Sequence, residues 1–136
     1  MFIYRPPSLK FPDTLQVEAN LWQVQKPFSY VSKDCKKMIT IPKGFKTDYG
    51  SVSVFKNTIG AMDIKSAPYI LHDWLYGSHL VSRAKADAIL MEALEEVGES
   101  WLRRQAIYYA VRIFGGKAWK KPAKTIQANL ALLGKR

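Results

Sequence analysis

The sequence predicts an α+β protein, with a small N-terminal antiparallel β-sheet followed by a bundle of three to four helices. Short apolar segments with partial two-residue alternation occupy residues 14–54, whereas helical periodicity bounded by capping residues occupies residues 66–116. The chain has 136 residues, of which 48% are hydrophobic and 24% are charged. Because that length and composition are typical of one globular unit with its own core, residues 1–136 are predicted to form a single domain.

Three segments of the N-terminal part show the alternation expected of strands. The segment TLQVEANLWQVQ (14–25) shifts phase near Asn20, which predicts strands interrupted by a turn or bulge. PFSYV (27–31) and KKMITIP (36–42) are two further candidate strands. The segment GFKTDYGSVSV (44–54) is rich in glycine, serine, threonine and aspartate, so it is predicted to be a polar loop.

Serine and glycine residues divide the C-terminal half into helices. A serine precedes each segment of helical periodicity as a candidate N-cap, and a glycine follows it. A fourth helix is predicted after Pro122. The predicted N-caps are Ser66, Ser82 and Ser100, and the predicted helix ends are Gly77, Gly98 and Gly115.

The third helix, WLRRQAIYYAVRIF, mixes aromatic residues with arginines. Large apolar side chains at helical spacing usually report packing, so this helix is expected in the core with its arginine heads at the surface. Stacking of the aromatic rings on nucleic acid is the alternative interpretation.

The positive charge is concentrated near the C terminus. The formal net charge is +10, and residues 101–136 contain nine Lys/Arg and no Asp/Glu. Such asymmetry favours a polyanionic neighbour, which could be DNA, an anionic membrane or an acidic protein surface; a solvated basic face is the alternative. Residues 117–136 are treated as a basic C-terminal segment. Its predicted polyanion-binding residues are Lys117, Lys120, Lys121, Lys124 and Trp119.

Several protein classes are disfavoured by the sequence. No apolar stretch reaches the roughly 20 residues of a transmembrane helix, and the N terminus does not resemble a signal peptide. Cys35 is the single cysteine, which excludes an internal disulfide and suits a reducing compartment. One cysteine and two histidines also argue against a zinc-finger type of metal site.

The segment APYILHDWLYG places two polar residues inside an apolar helix. His72 and Asp73 are the only charged or readily protonated side chains between Lys65 and His79. Because no polar face remains, this helix is predicted to be central and buried. A buried histidine beside an aspartate therefore requires partners.

The second helix supplies one candidate partner. Asp87 lies on its apolar face, and the short connection GSHLV predicts an antiparallel hairpin with the first helix. His72 lies four residues before Tyr76, and Asp87 lies four residues after Arg83, so both are about 6 Å of helix rise from the same end. We expect His72 and Asp87 to face each other, with Tyr76 and Arg83 one turn away.

This cluster predicts either catalysis or a structural role. If Asp87 binds one ring nitrogen of His72, the other nitrogen can take a proton from water or a hydroxyl, with Tyr76 as the third catalytic residue. A buried network that only locks the hairpin is the alternative. Asp73 points to a different neighbour, for which the loop offers Thr47, Asp48 and Ser51; a divalent cation such as calcium could lie between Asp73 and Asp48. Arg83 is grouped with these orienting or ligand residues.

Several motifs together resemble a known family. IPKGFKTDYGSV (41–52), HDWLY (72–76) and SRAKADAILMEAL (82–94), then a Trp-Arg-Arg helix ending in Gly-Gly, resemble an uncharacterised family of small proteins common in tailed-bacteriophage and prophage genomes. The resemblance covers residues 14–120. It implies a phage origin, location in the host cytoplasm or the virion, and other virion proteins as partners, but no activity. The family carries Ala-Ser-Val-Pro where this chain has GSVS (50–53), so that loop is expected to bend differently.

A second, local resemblance covers residues 72–87. Secreted and viral phospholipases A2 place His-Asp-x-x-Tyr on one helix and an aspartate on an antiparallel partner helix. The resemblance implies that His72 is the base, that Asp73 is a calcium ligand, and that Tyr76 and Asp87 orient His72. The chain lacks the Tyr-x-Gly-x-Gly calcium loop and the disulfide scaffold of those enzymes.

These observations predict three alternative functions. The first is a small phage-encoded hydrolase, esterase-like or phospholipase-like, that uses general-base catalysis. The second is a non-catalytic virion component, such as a tail, capsid or connector protein, whose basic segment binds DNA, lipid or another subunit. The third is a protein that binds DNA or a host target without chemistry.

Overall fold

The computed structural model describes residues 1–4, 14–18, 21–47 and 67–134. Within these residues the chain forms two three-stranded antiparallel sheets, with strand orders β1-β4-β5 and β2-β3-β6, followed by helices. The predicted α+β class is therefore confirmed. The strands are β1 (Phe2–Tyr4), β2 (Thr14–Glu18), β3 (Leu21–Val24), β4 (Phe28–Val31), β5 (Met38–Ile41) and β6 (Lys46–Thr47). The helices are α1 (Ala67–Ser78), α2 (Arg83–Glu96), α3 (Trp101–Phe114), α4 (Gly116–Trp119) and α5 (Ala123–Ala131), closed by a 3-10 turn (Leu132–Gly134).

The predicted strands are present, but they belong to two sheets. The phase shift of residues 14–25 corresponds to β2 and β3, whose pairing shifts register between Gln16 and Glu18. Two strands were not predicted, because β1 and β6 contain only three and two residues and so lack a measurable alternation. β6 pairs with β3 and begins inside the segment predicted as loop 44–54.

The first sheet supplies one side of the core. β4 and β5 alternate, so Phe28, Tyr30, Ile39 and Ile41 all face inward. Below them lies α1, in which every residue except Asp73 is buried. The predicted central position of this helix is confirmed, and it follows from the lack of a polar face.

The predicted caps of α2 and α3 are also confirmed. The Ser82 side chain accepts a hydrogen bond from the Lys85 amide at 3.2 Å, and the Ser100 side chain accepts one from the Arg103 amide at 3.3 Å. Gly98 has φ +85°, a left-handed conformation that ends α2 at little steric cost. The predicted cap at Ser66 lies outside the described residues.

A glutamate on α2 fastens the first sheet to the helices. Glu92 accepts hydrogen bonds from the Tyr30 hydroxyl (2.9 Å), the Ser32 hydroxyl (3.1 Å) and the amides of Lys33 (2.9 Å) and Asp34 (3.2 Å). One carboxylate thus holds the turn that joins β4 to β5. This contact positions α2, which carries Asp87.

The expectation that α3 lies in the core is wrong. Only Ile107 and Val111 of this helix are buried, and they face α2 and α1. The helix lies on the outer side of α2, so a single narrow side of α3 meets the rest of the fold. Within the described residues, none of the helices combines the length and the hydropathy that a membrane span requires.

Candidate functional site

The α1–α2 hairpin brings a histidine and an aspartate together in the interior. Nε2 of His72 lies 2.7 Å from Oδ1 of Asp87. The predicted contact is confirmed, because both residues lie about one helical turn from the connection that joins the helices. The catalytic role assigned to the pair stays a prediction.

Tyr76 and Arg83 extend this contact as expected. The Tyr76 hydroxyl donates to the same Asp87 oxygen at 2.7 Å, and Nε of Arg83 donates to the Tyr76 oxygen at 3.3 Å. The far end of Arg83 donates to the carbonyls of Val111 and Arg112 at 2.7 and 2.8 Å. Arg83 therefore also satisfies carbonyls in the last turn of α3, which ties this helix to the site.

The sequence did not predict that Arg112 belongs to the site. Its guanidinium donates to Oδ2 of Asp87 at 2.8 Å. The sequence indicated only that a buried Asp87 would need a cationic partner. It did not indicate which lysine or arginine that partner would be. Helical spacing relates residues within one helix, whereas this contact joins α2 to α3.

The end of α3 approaches the site closely. A β-carbon on Gly115 would clash with the Val111 carbonyl oxygen and would stand 2.8 Å from the Tyr76 hydroxyl oxygen, closer than real β-carbons come to such atoms. Gly115 itself is buried. A glycine here thus allows the α3 terminus to lie against the phenol.

Burial and hydrogen bonding fix the charges of the cluster. Asp87 is 0% exposed and His72 is 4% exposed. Burial lowers the pKa of His72, and it outweighs the opposing pull of the Asp87 carboxylate. Burial alone would raise the pKa of Asp87, but hydrogen bonds from His72, Tyr76 and Arg112 lower it overall. Burial, together with the bond to Asp87, raises the pKa of Tyr76.

These shifts determine which nitrogen of His72 carries the proton. Asp87 is ionised and accepts only, so Nε2 must be the protonated nitrogen. The Arg112 charge already balances Asp87, and Arg83 is nearby, so a second positive charge on the ring is disfavoured. The ring is therefore neutral, with the lone pair on Nδ1. Such a ring can accept a proton at Nδ1.

Asp73 contacts the β part of the chain, as expected. Its Oδ2 accepts a hydrogen bond from the Thr47 hydroxyl at 2.8 Å. Asp48 and Ser51, the other predicted partners, lie outside the described residues. Among the residues that the structure describes, no group of three His, Cys, Asp or Glu side chains comes together as a metal site. The predicted cation between Asp73 and Asp48 stays a prediction.

The basic C-terminal segment is partly packed against the hairpin. Trp119, one of the predicted polyanion-binding residues, is half-buried: its ring stacks on His79 with centroids 3.7 Å apart and meets Tyr76 edge-on at 5.2 Å. His79 also lies 2.8 Å from the Trp119 carbonyl through Nε2. The lysines extend further into solvent, with Lys117, Lys120 and Lys124 exposed and Lys121 half-buried.

The chain matches one known family model. The family described as Protein of unknown function (DUF1353) matches residues 22–111. The matched range contains His72, Tyr76 and Asp87 and ends one residue before Arg112. No curated protein and no solved structure matches the chain.

Proposed function

The chain belongs to the DUF1353 family, and on that premise we propose that it is a small phage-encoded hydrolase of carboxylic esters with His72 as its general base. The observation that carries the proposal is the 2.7 Å contact between Nε2 of His72 and Oδ1 of Asp87. Because Asp87 is an anion that only accepts, it holds the ring in the tautomer whose Nδ1 is basic.

The proposed reaction needs one water molecule and one ester. Nδ1 of His72 removes a proton from water while the water oxygen bonds to the ester carbonyl carbon. When the tetrahedral intermediate collapses, its bond to the alcohol oxygen breaks and the proton on Nδ1 passes to that oxygen. The products are a carboxylic acid and an alcohol, and His72 returns to its neutral form.

Two other residues act through His72 rather than on the substrate. Asp87 fixes the tautomer and stabilises the imidazolium that forms during the reaction. Tyr76 donates to the same oxygen of Asp87 and so limits rotation of the carboxylate. Both are positioning residues. Their arrangement agrees with the roles that the local resemblance to phospholipases A2 implies.

The phage origin rests on the order of the sequence motifs. In that setting the enzyme would act in the host cytoplasm or within the virion, where phospholipid esters are an accessible substrate during infection or lysis. Other virion proteins would be its partners.

The burial of the site favours a second candidate function. His72 is 4% exposed, and Asp87 is bonded by His72, Tyr76 and Arg112. A network of this kind can stabilise a hairpin without contacting a substrate. The protein would then be a non-catalytic tail, capsid or connector protein, and its hairpin would be a rigid support.

Hydrolysis assays distinguish the two functions. Purified protein is incubated with short-chain nitrophenyl esters and with phospholipid vesicles, and released nitrophenol or fatty acid is measured. We expect hydrolysis by the wild type and a loss of about 10²-fold or more in His72→Gln, because general-base catalysis typically contributes that much. The absence of wild-type hydrolysis on both substrates, or full activity in His72→Gln, would reject the enzyme.

Two tyrosines provide a matched control. Tyr76 and Tyr30 are both buried, and each donates its hydroxyl to a carboxylate, Asp87 or Glu92. Tyr76→Phe and Tyr30→Phe therefore remove the same group from similar surroundings, at a similar cost in stability of about 1 kcal/mol. Hydrolysis should fall in Tyr76→Phe alone, with a changed pH profile; equal activity in the two variants would indicate a structural role.

A further inference from the structure

The solvent side of α3 carries a continuous apolar stripe. Leu102, Ala106, Tyr109 and Ile113 are all exposed, and their spacing of four, three and four residues places them within an arc of about 60°. Ile107 and Val111, the buried residues of the helix, lie on the opposite side. The helix is thus apolar on two sides, and only one of them is covered.

The exposure of this stripe is large for each member. Leu102 is 74% exposed, Tyr109 61% and Ile113 68%. Trp101 and Phe114, at the two ends of the helix, are 65% and 63% exposed. Single exposed apolar side chains are common, whereas a contiguous apolar patch marks an interaction surface.

Lysines follow the stripe in the sequence, and acids are absent from residues 101–136. Residues 101–136 contain nine Lys/Arg and no Asp/Glu. Gly115 keeps helical backbone angles (φ −76°, ψ −10°), so Lys117 follows Ile113 by about one further helical turn. Lys117, Lys120 and Lys124 are exposed, and none of them takes part in an ion pair within the described residues.

We propose that the stripe and these lysines form a docking surface for a lipid bilayer that contains anionic phospholipids. An apolar helix face with adjoining lysines suits the boundary between acyl chains and phosphate head groups. The helix would lie in the plane of the bilayer surface, with the stripe toward the acyl chains. The lysines would attract the anionic head groups.

Two other occupants fit this surface less well. A second copy of the chain, packed symmetrically on the same face, would cover the apolar side chains, but residues 101–136 of that copy contain no acid to pair with the lysines. A DNA duplex would pair with the lysines, but it would leave the aliphatic side chains of Leu102 and Ile113 without an apolar partner. A bilayer surface accommodates both kinds of group.

Vesicle cosedimentation tests the proposal. The full chain is mixed with phosphatidylcholine vesicles that contain phosphatidylglycerol, with pure phosphatidylcholine vesicles, and with duplex DNA. We expect binding to the anionic vesicles that weakens with salt. We also expect the double variant Leu102→Gln/Ile113→Gln to reduce this binding at least about tenfold, because two apolar side chains no longer insert.

A control variant alters exposed apolar residues elsewhere. Met38 and Leu80 are 65% and 49% exposed and lie outside α3, so Met38→Gln/Leu80→Gln should bind vesicles as the wild type does. Equal losses in the two double variants, equal binding to neutral vesicles, or no vesicle binding would overturn the proposal. Binding to DNA alone, or self-association removed by the α3 variant, would also overturn it.

This inference does not depend on the proposed hydrolysis. His72→Gln should bind vesicles as the wild type does, because His72 is buried and is not part of the stripe. Leu102→Gln/Ile113→Gln should retain activity on a soluble nitrophenyl ester. Loss of hydrolysis would therefore not be mistaken for loss of membrane binding.

Discussion

Arg112 forms an ion pair with Asp87, with its guanidinium nitrogen 2.8 Å from Oδ2. This pair uses the oxygen that His72 and Tyr76 leave available, so the Asp87 charge is balanced without a protonated histidine. The pair therefore allows a neutral imidazole beside a buried carboxylate.

Replacing Arg112 should change the protonation of His72. In Arg112→Met the Asp87 charge loses its guanidinium partner, so an imidazolium beside Asp87 becomes more favourable and the pKa of His72 rises above that of the wild type. Titration of the His72 ring protons by NMR measures this change. Arg104→Met is the control, since Arg104 lies on the same helix but donates to the Glu99 carbonyl; equal His72 pKa values in both variants would contradict the role of Arg112.

The stability of the protein should depend on pH through His72. Its pKa is lowered in the folded protein, so between pH 6.5 and the folded value the unfolded chain binds a proton that the folded chain does not. The free energy of unfolding should therefore fall as the pH drops below 6.5, by at most about 1.4 kcal/mol per pH unit for this one proton. Urea titrations of the wild type and of His72→Gln at several pH values measure this dependence. Above pH 6.5 the free energy of unfolding of the two proteins should change with pH in the same way.

Asp87 acts in a more acidic range. Its pKa is also lowered in the folded protein, so its contribution is complete above its ordinary 3.8 and is lost as the pH falls through the folded value. The free energy of unfolding of the wild type should therefore fall in two separate pH ranges, one set by His72 and a more acidic one set by Asp87. A pH slope in His72→Gln identical to that of the wild type between pH 4 and pH 6.5 would show that His72 is not buried in its neutral form.

Gly115→Ala should destabilise the protein although alanine favours helices. The backbone at Gly115 has φ −76°, outside the left-handed region that favours glycine. The new β-carbon, however, would clash with the Val111 carbonyl oxygen, and it would stand 2.8 Å from the Tyr76 hydroxyl and displace it from Asp87. We expect a loss of about 1–3 kcal/mol in the free energy of unfolding, measured with urea.

The neighbouring glycine gives the matched control for this change. A β-carbon on Gly116 would meet its nearest atoms, in the Arg83 guanidinium, at 3.9 Å, which is ordinary contact. Gly116→Ala should therefore be neutral or slightly stabilising. If the two alanine variants are equally stable, the close packing of Gly115 against the Val111 carbonyl and the Tyr76 hydroxyl does not constrain the site.

Glu92→Gln should loosen the turn that joins β4 to β5. The carboxylate accepts four hydrogen bonds there, and an amide offers one acceptor oxygen in place of two. We expect a loss of about 1–3 kcal/mol and faster hydrogen exchange at the amides of Lys33 and Asp34. Glu95 is exposed on the same helix, so Glu95→Gln should leave the free energy of unfolding and the exchange of these amides unchanged. If the two amides exchange as slowly in Glu92→Gln as in the wild type, Glu92 does not hold this turn.

Much of the site followed from positions within single elements. His72, Tyr76, Arg83 and Asp87 could be grouped because the short connection fixes an antiparallel hairpin and helical rise then sets their levels. The serine caps and the glycine ends were equally local, since they depend on backbone groups a few residues away. Thr47 was predicted only as one of three possible loop partners of Asp73. Its actual position depends on the pairing of β6 with β3, which the sequence did not predict.

Contacts between distant elements escaped prediction. Arg112 and Glu92 carry charges that suit a solvated helix surface, and only the packing of α3 and of the β4–β5 turn against α2 brings them to their partners. The same packing explains the error at α3, since a helix at the edge of a fold buries one narrow side whatever its other residues are. The local pattern of Leu102, Tyr109 and Ile113 does not distinguish a core face from an exposed one.

The sequence by itself determined the α+β class, the helix hairpin and the facing histidine and aspartate, because short connections and helical periodicity act over a few residues. The tertiary structure alone decided the charge partner of Asp87, the covering of Trp119 by His79 and Tyr76, and the exposure of the α3 stripe. These features depend on which elements become neighbours in space, a choice made by the burial of the whole chain at once.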